Sequence, residues 1–186
     1  GESFSDSFFA DTISEMINDD YDESNCEQYR RSLLNDNVSK RPQTQLWDVP
    51  NKIDKQYIFI PVQKIDDVSV SQYSNIGMLD FITEVVKFAK RHNIPIVIKQ
   101  HPHATEDHET IKKHVRKLQK AYGAIYIVDA SIYNLMEHAM FTACINSGSV
   151  VDNFVTQTPV LCSGKSFFYK SKAIIYNADL QQGLNT

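Results

Sequence analysis

Cys144-Ile145-Asn146-Ser147-Gly148-Ser149-Val150-Val151-Asp152-Asn153-Phe154 is an apolar run that stops at small polar residues and opens directly into a helical pattern. Ile94 to Ile98 stops in the same way at Lys99-Gln100-His101-Pro102, so the two segments predict two strand ends that share one ligand. A strand that turns straight into a helix exposes backbone N–H groups at the positive end of the helix dipole, and both favour phosphate. Ser147 and Ser149 add hydroxyl donors, and Gly148 admits close backbone approach. The same N–H groups and hydroxyls also make an ordinary helix cap. Asp152, one turn further on, is placed either to accept from ribose hydroxyls or to stand solvated on the helix. Pro102 holds His101 extended and away from the next helix, which makes it either a donor to phosphate in the strand-end crevice or a surface or packing histidine. Lys99 is either a charge partner there or a surface lysine.

Working outward, Tyr57 to Val62 reads as a buried strand that Pro61 brings to an end, and Gln63 to Ser71 as a polar loop. Met78, Ile82, Val85 and Ala89 recur at helical spacing, with Leu79 and Val86 beside them and Asn93 and Pro95 as the stop. Ile94 to Ile98 is a second strand. Ile111, Val115, Leu118 and Tyr122 mark a basic helix closed by Gly123, and Ala124 to Val128 a third strand. Ser131 caps a short helix from Ile132 to His138. Strands over Met140 to Ile145, Pro159 to Cys162 and Ala173 to Tyr176 follow, with a short helix from Val150 to Val155.

Strands alternating with amphipathic helices predict an α/β fold, a Rossmann-like parallel sheet with helices on both faces. Ligands of such sheets bind outside the carboxyl ends of the strands. The loops there carry Gln63, Asp66, Asp67, His101, Ser147, Ser149 and Gly164. Asp66 and Asp67 are either solvated turn residues or, if they face the crevice, a general base or nucleophile for an anomeric carbon. The nucleophile elbow, the Walker A loop and Gly-x-Gly-x-x-Gly are absent, which lowers hydrolase, kinase and dehydrogenase readings.

The 186 residues suit one domain, residues 57–186, preceded by a polar, acidic segment 1–56 with faint helical patches at Phe9 to Ile17 and Glu27 to Leu34. Leu33, Leu34 and Trp47 are expected to pack it on the domain as an ordered appendage. Net charge is −4, which argues against a nucleic-acid surface. Three widely spaced cysteines, Cys26, Cys144 and Cys162, suit a reducing compartment, and the last two read as buried thiols. No apolar run reaches membrane-span length and Gly1 to Asp19 lacks a signal-peptide pattern, so a cytoplasmic location is expected. His103 and His108 lie near His101, but no thiol or carboxylate spacing completes a metal site.

Several of these segments together resemble the bacterial capsule polysaccharide synthesis proteins, which include Kdo transferases. The resemblance runs from about Tyr57 to Tyr169. It rests on Pro61-Val62-Gln63 with Asp66-Asp67-Val68-Ser69, on Lys99-Gln100-His101-Pro102, on Val128-Asp129 with Ser131-Ile132-Tyr133-Asn134-Leu135, on Ile145-Asn146-Ser147 through Asp152, and on Thr158-Pro159-Val160 with Gly164 and Phe167. It implies the C-terminal, nucleotide-sugar-binding half of a GT-B glycosyltransferase, metal-independent and without a cofactor beyond its nucleotide-sugar substrate. The partners it implies are a nucleotide-sugar donor, a glycan acceptor and an N-terminal acceptor half that residues 1–56 are too short to form. The candidate catalytic residues are Asp66, Asp67 and His101. Gln63, Ser69, Lys99, His101, Ser131, Asn146, Ser147, Gly148, Ser149 and Asp152 are the candidates for substrate binding. Asn146-Ser147-Gly148-Ser149 departs from the family's Asn-Ser-Thr followed by Gly, and Asp152 from its Glu. CMP-Kdo and a nucleoside-diphosphate deoxyhexose are therefore both open as donors. A non-catalytic binding module and a two-domain sugar-nucleotide epimerase are the alternatives.

Overall fold

The computed structural model describes residues 23–39, 43, 46–48, 53 and 56–185. The expected helical patch at Phe9 to Ile17 lies outside them. In chain order the elements are α1 (Glu23–Asn35), β1 (Tyr57–Pro61), α2 (Val68–Tyr73), α3 (Met78–His92), β2 (Ile96–Lys99), a 3-10 turn (Thr105–Asp107), α4 (His108–Tyr122) and β3 (Ile125–Ile127). They continue with α5 (Ile132–Glu137), β4 (Ala139–Cys144), α6 (Val150–Thr156), β5 (Val160–Cys162), β6 (Ile175–Tyr176) and α7 (Leu180–Leu184).

All six strands are parallel, in the order β3-β2-β1-β4-β5-β6. The chain builds outward from β1 to β3, then returns to lay β4 on the other side of β1. That reversal is the switch point at which a ligand crevice forms in doubly wound sheets.

β1 shows how sequence sets this geometry. Its five residues are all buried, and the pleat sends Ile58 and Ile60 to one face, Tyr57 and Phe59 to the other. On the first face they meet Phe81, Ile82, Val85 and Ala89 of α3 and Ile111, Val115 and Leu118 of α4. On the second they meet Leu135 and Met136 of α5. The N–H groups of Ile58 and Val62 donate toward β2, to Pro95 O and Lys99 O. Alternation therefore turns the nitrogen of Pro61 toward β4, where no donor is available. The β1–β4 register accordingly ends at Phe59 and Thr142, while the β1–β2 ladder runs on to Pro61 and Lys99. Beyond the ladder the two strands are joined by side chains instead, through Gln63 and Asn146.

Both long helices end as the sequence predicts. Asn93 adopts the left-handed conformation at φ 54° and its N–H donates to Ala89 O and Lys90 O. Gly123 closes α4 at φ 88°, donating to Gln119 O. Strand boundaries shift by a residue or two from expectation, and besides the 3-10 turn two α-helices depart from it. α7 is one. The other is α2, which forms inside the expected polar loop because Asp67 caps it, accepting from the Ser69 N–H at 2.9 Å. Among the described residues no helix is long and apolar enough to cross a membrane.

Of the described residues before β1, several pack on the α5 side of the sheet. Leu34 and Trp47 join that core, with the Trp47 ring 6.3 Å from that of Tyr126. Leu33 is half-buried and outside it. Cys144 and Cys162 are buried neighbours on β4 and β5 with Sγ atoms 3.6 Å apart, and Cys26 is exposed.

Candidate nucleotide crevice

A crevice of about 670 Å³ opens at the carboxyl edge, at the β1/β4 switch point. Its walls come from the ends of all three strands on one side: Pro61 and Val62 after β1, Lys99 to Pro102 after β2, and Ile127 to Asp129 after β3. The opposite wall is Ser147, Gly148, Ser149 and Asp152, the turn into α6. The two segments singled out in the sequence thus face each other.

On the first wall, His101 accepts from the His103 N–H at Nδ1, 3.2 Å away. Its neutral ring therefore carries its proton on Nε2. The loop behind it is closed by His108, whose Nε2 donates to His101 O at 2.9 Å, and by Gln100, whose Nε2 donates to His108 O at 2.9 Å. Lys99, only 14% exposed, spends its ammonium on Ala130 O at 2.7 Å and Asp129 at 3.2 Å. It fixes the turn after β3 while adding its charge to the wall. Lys112 lines the crevice as well, one helical turn past His108 on the same face of α4. The i, i+4 spacing of those two residues is a signal legible in the sequence.

On the second wall, Ser147 Oγ accepts from the Ser149 N–H at 3.2 Å and from the Ser149 hydroxyl at 2.9 Å. Ser149 holds the cap position of α6 without a side-chain bond to the helix. A methyl group built on Gly148 meets nothing within 4 Å, so the wall is open there. Asp152 is 8% exposed and accepts from Ser39 Oγ at 2.7 Å. Ser39 and Gln43 also line the crevice. Nothing in their sequence surroundings pointed to them.

The remaining expected residues lie elsewhere. Gln63 and Asn146 are buried and bonded to each other: Gln63 Nε2 donates to Asn146 Oδ1 at 2.8 Å, and the Asn146 N–H donates to Gln63 Oε1 at 3.1 Å. Asn146 Nδ2 further donates to Ser69 O and Lys165 O, at 2.8 and 3.2 Å. These amides lock the ends of β1 and β4 to α2 and to the loop after β5. Ser131 is fully buried and donates to Asn37 Oδ1, while the first N–H of α5, on Ile132, is taken by Gln43 Oε1 at 2.8 Å. Ser131 therefore holds the cap position with its hydroxyl turned to another segment. Asp67 accepts from the Ser69 N–H and hydroxyl, Asp66 is exposed, and neither lines the crevice. Gly164 serves packing, since a Cβ there would lie 2.8 Å from Ile145 Cγ2. Among the described residues no group of three or more His, Cys, Asp or Glu side chains converges as a metal cluster would.

The model of the capsule polysaccharide biosynthesis protein family matches residues 6–182. The chain belongs to that family. Two solved structures share the family member's fold. Thermosulfurimonas dismutans KpsC, beta Kdo 2,4 transferase, superimposes with a TM-score of 0.67 at 14% identity, covering 97% of this chain and 58% of that one. Thermosulfurimonas dismutans KpsC, beta Kdo 2,7 transferase, gives 0.55 at 22% identity, covering 95% and 56%. At these identities the likeness shows the fold, the parallel Rossmann-like sheet with flanking helices. This capsule family member spans somewhat over half the length of either structure. No curated protein sequence matches it.

Proposed function

We propose that this chain is the nucleotide-sugar-binding, C-terminal half of a metal-independent GT-B glycosyltransferase that builds a surface or capsular polysaccharide. The observation that carries the reading is the crevice itself. It lies at the switch point, with a histidine N–H donor on one wall and the Ser147 to Asp152 turn on the other. His101 Nε2 and the Ser147 hydroxyl, which Ser149 orients by donating to its oxygen, donate to the donor phosphate, and Lys99 and Lys112 offset its charge. Asp152 accepts from the ribose. CMP-Kdo is the donor we favour, because the two solved relatives are named as Kdo transferases.

In transfer, the bond between the anomeric carbon and the phosphate oxygen breaks, with its electron pair leaving on the phosphate. The acceptor hydroxyl oxygen bonds to the anomeric carbon and gives its proton to a base. Donors on the leaving phosphate stabilise the charge that develops there. A second reading has its own support. The described carboxylates on the crevice wall are Asp129, tied to Lys99, and Asp152, tied to Ser39. The base is then supplied by the acceptor half, and this chain alone is a binding module.

Product analysis separates the readings. The longer protein, given CMP-Kdo and a glycan acceptor, should form a glycosidic product, and the chain of 186 residues should bind the nucleotide with little transfer. Release of a free altered sugar without acceptor would mean an epimerase instead. Nucleotide binding without turnover in the longer protein would leave only the binding module.

A further inference from the structure

Asp152 is a nearly buried carboxylate, and such a group persists only when hydrogen-bonded. One donor to it, Ser39, comes from the segment before the sheet, 113 residues earlier in the chain. That segment is fixed on either side of the serine. Asn37 Oδ1 accepts from Ser131, Val38 O accepts from the Tyr133 phenol at 2.7 Å, and Gln43 Oε1 accepts from the Ile132 N–H. The Tyr133 phenol is pushed up to about 12, first by burial and then by the charge of Asp152, so it stays a neutral donor. Ser39, Gln43 and Asp152 all face the crevice.

Resting on the nucleotide reading above, we infer that Ser39 is a positioning residue. Its hydroxyl orients the Asp152 carboxylate toward the hydroxyls of the bound nucleoside, which makes the segment before the sheet part of the choice of ribonucleotide over deoxyribonucleotide. A carboxylate has acceptor capacity for about four hydrogen bonds, so the bond to Ser39 does not by itself exhaust it. A short O–H to carboxylate bond fixes the side-chain torsions of Asp152. Held in place, the carboxylate cannot follow a ligand that lacks the hydroxyl, and its desolvated oxygen then goes unmatched. If Ser39 is removed the carboxylate swings, and it loses more for the ribonucleotide than for the deoxy analogue.

The test is calorimetric titration of the chain with CMP, UDP and ADP, and with the 2′-deoxy and 3′-deoxy forms of whichever binds best. The wild type should prefer the ribonucleotide over at least one deoxy form by about tenfold or more. Ser39→Ala should weaken the ribonucleotide by about 5- to 20-fold, leave that deoxy form within about twofold, and Ser39→Thr should restore the preference. Equal weakening of both ligands would make Ser39 a mere tether. Unchanged or tighter ribonucleotide binding would make it a bystander or a competing cover. Each of these results overturns the inference while the nucleotide reading stands, whereas a wild type that binds no nucleotide overturns both.

Discussion

Asn146 and Gln63 join three pieces of chain with two side-chain amides, and neither amide can be replaced without stranding its partner. In Asn146→Ala, Gln63 Nε2 and the carbonyls of Ser69 and Lys165 lose a bond inside the protein. We expect a loss of about 1–3 kcal/mol of stability, read by urea unfolding, together with looser nucleotide binding because the Ser147 turn begins one residue later. His101→Ala and Ser147→Ala differ from it in kind. Each should weaken nucleotide binding by about 1–3 kcal/mol in calorimetry at unchanged stability, and unchanged affinity in both would remove the site. Gly164→Ala forces a methyl group against Ile145 Cγ2 and should cost about 1–3 kcal/mol by thermal melting. The sequence made His101 and Ser147 legible because both stand where an apolar run stops. The amide pair was placed at the right strand ends but read as ligand contacts, because a sequence does not show that two amides will satisfy each other.

Among the elements, α2 carries the clearest departure from the sequence reading. Val68, Ser69, Val70 and Ser71 lack helical periodicity, so their helix was hidden, and Asp67 looked like a free carboxylate when it is a cap. Asp67→Ala should cost about 0.5–2 kcal/mol of stability and leave nucleotide affinity unchanged. Transferase turnover, in a polypeptide that includes the proposed acceptor half, lowered by about 10²-fold at unchanged stability would instead return Asp67 to the chemistry. α1 is held by charge as well as packing. Arg30 pairs with Glu27 and donates to Val155 O at 2.9 Å, at the end of α6. Hydrogen bonds from Arg30 and then Arg31 hold the Glu27 carboxyl down at about 2 instead of 4.5. A lowered folded value means that this contribution is complete above about 4.5 and fades as the pH falls toward 2. Hydrogen exchange, corrected for intrinsic rates, should show α1 losing protection across that window, and less so in Glu27→Gln, where no charge remains to be lost. Equal loss in both proteins would contradict the pairing. The long amphipathic helices α3 and α4, by contrast, were fully legible, because each repeats its apolar stripe over several turns and stops at Asn93 or Gly123.

At the scale of the molecule, the parallel sheet was readable from alternation alone, and with it the edge at which the crevice opens. The reversal of strand order puts α3 and α4 on one face and α5 on the other, as right-handed crossovers require, and Pro61 lies where the β1–β4 ladder has stopped. What stayed hidden is the wall made by Ser39 and Gln43, since contacts between residues about a hundred positions apart leave no local pattern. The central claim is that a nucleotide occupies the crevice at the carboxyl edge. A second hollow of about 370 Å³ lies at the opposite edge, lined by Lys90, Asn93, Tyr122 and Gly123, and provides an internal control. The direct measurement is a nucleotide titration of the isotopically labelled chain, followed by amide NMR. The account predicts saturable shifts at His101, Ser147, Gly148, Ser149 and Asp152, with Asn93 and Gly123 unmoved. Shifts confined to Asn93, Tyr122 and Gly123, or none at any of these amides at millimolar nucleotide, would contradict it.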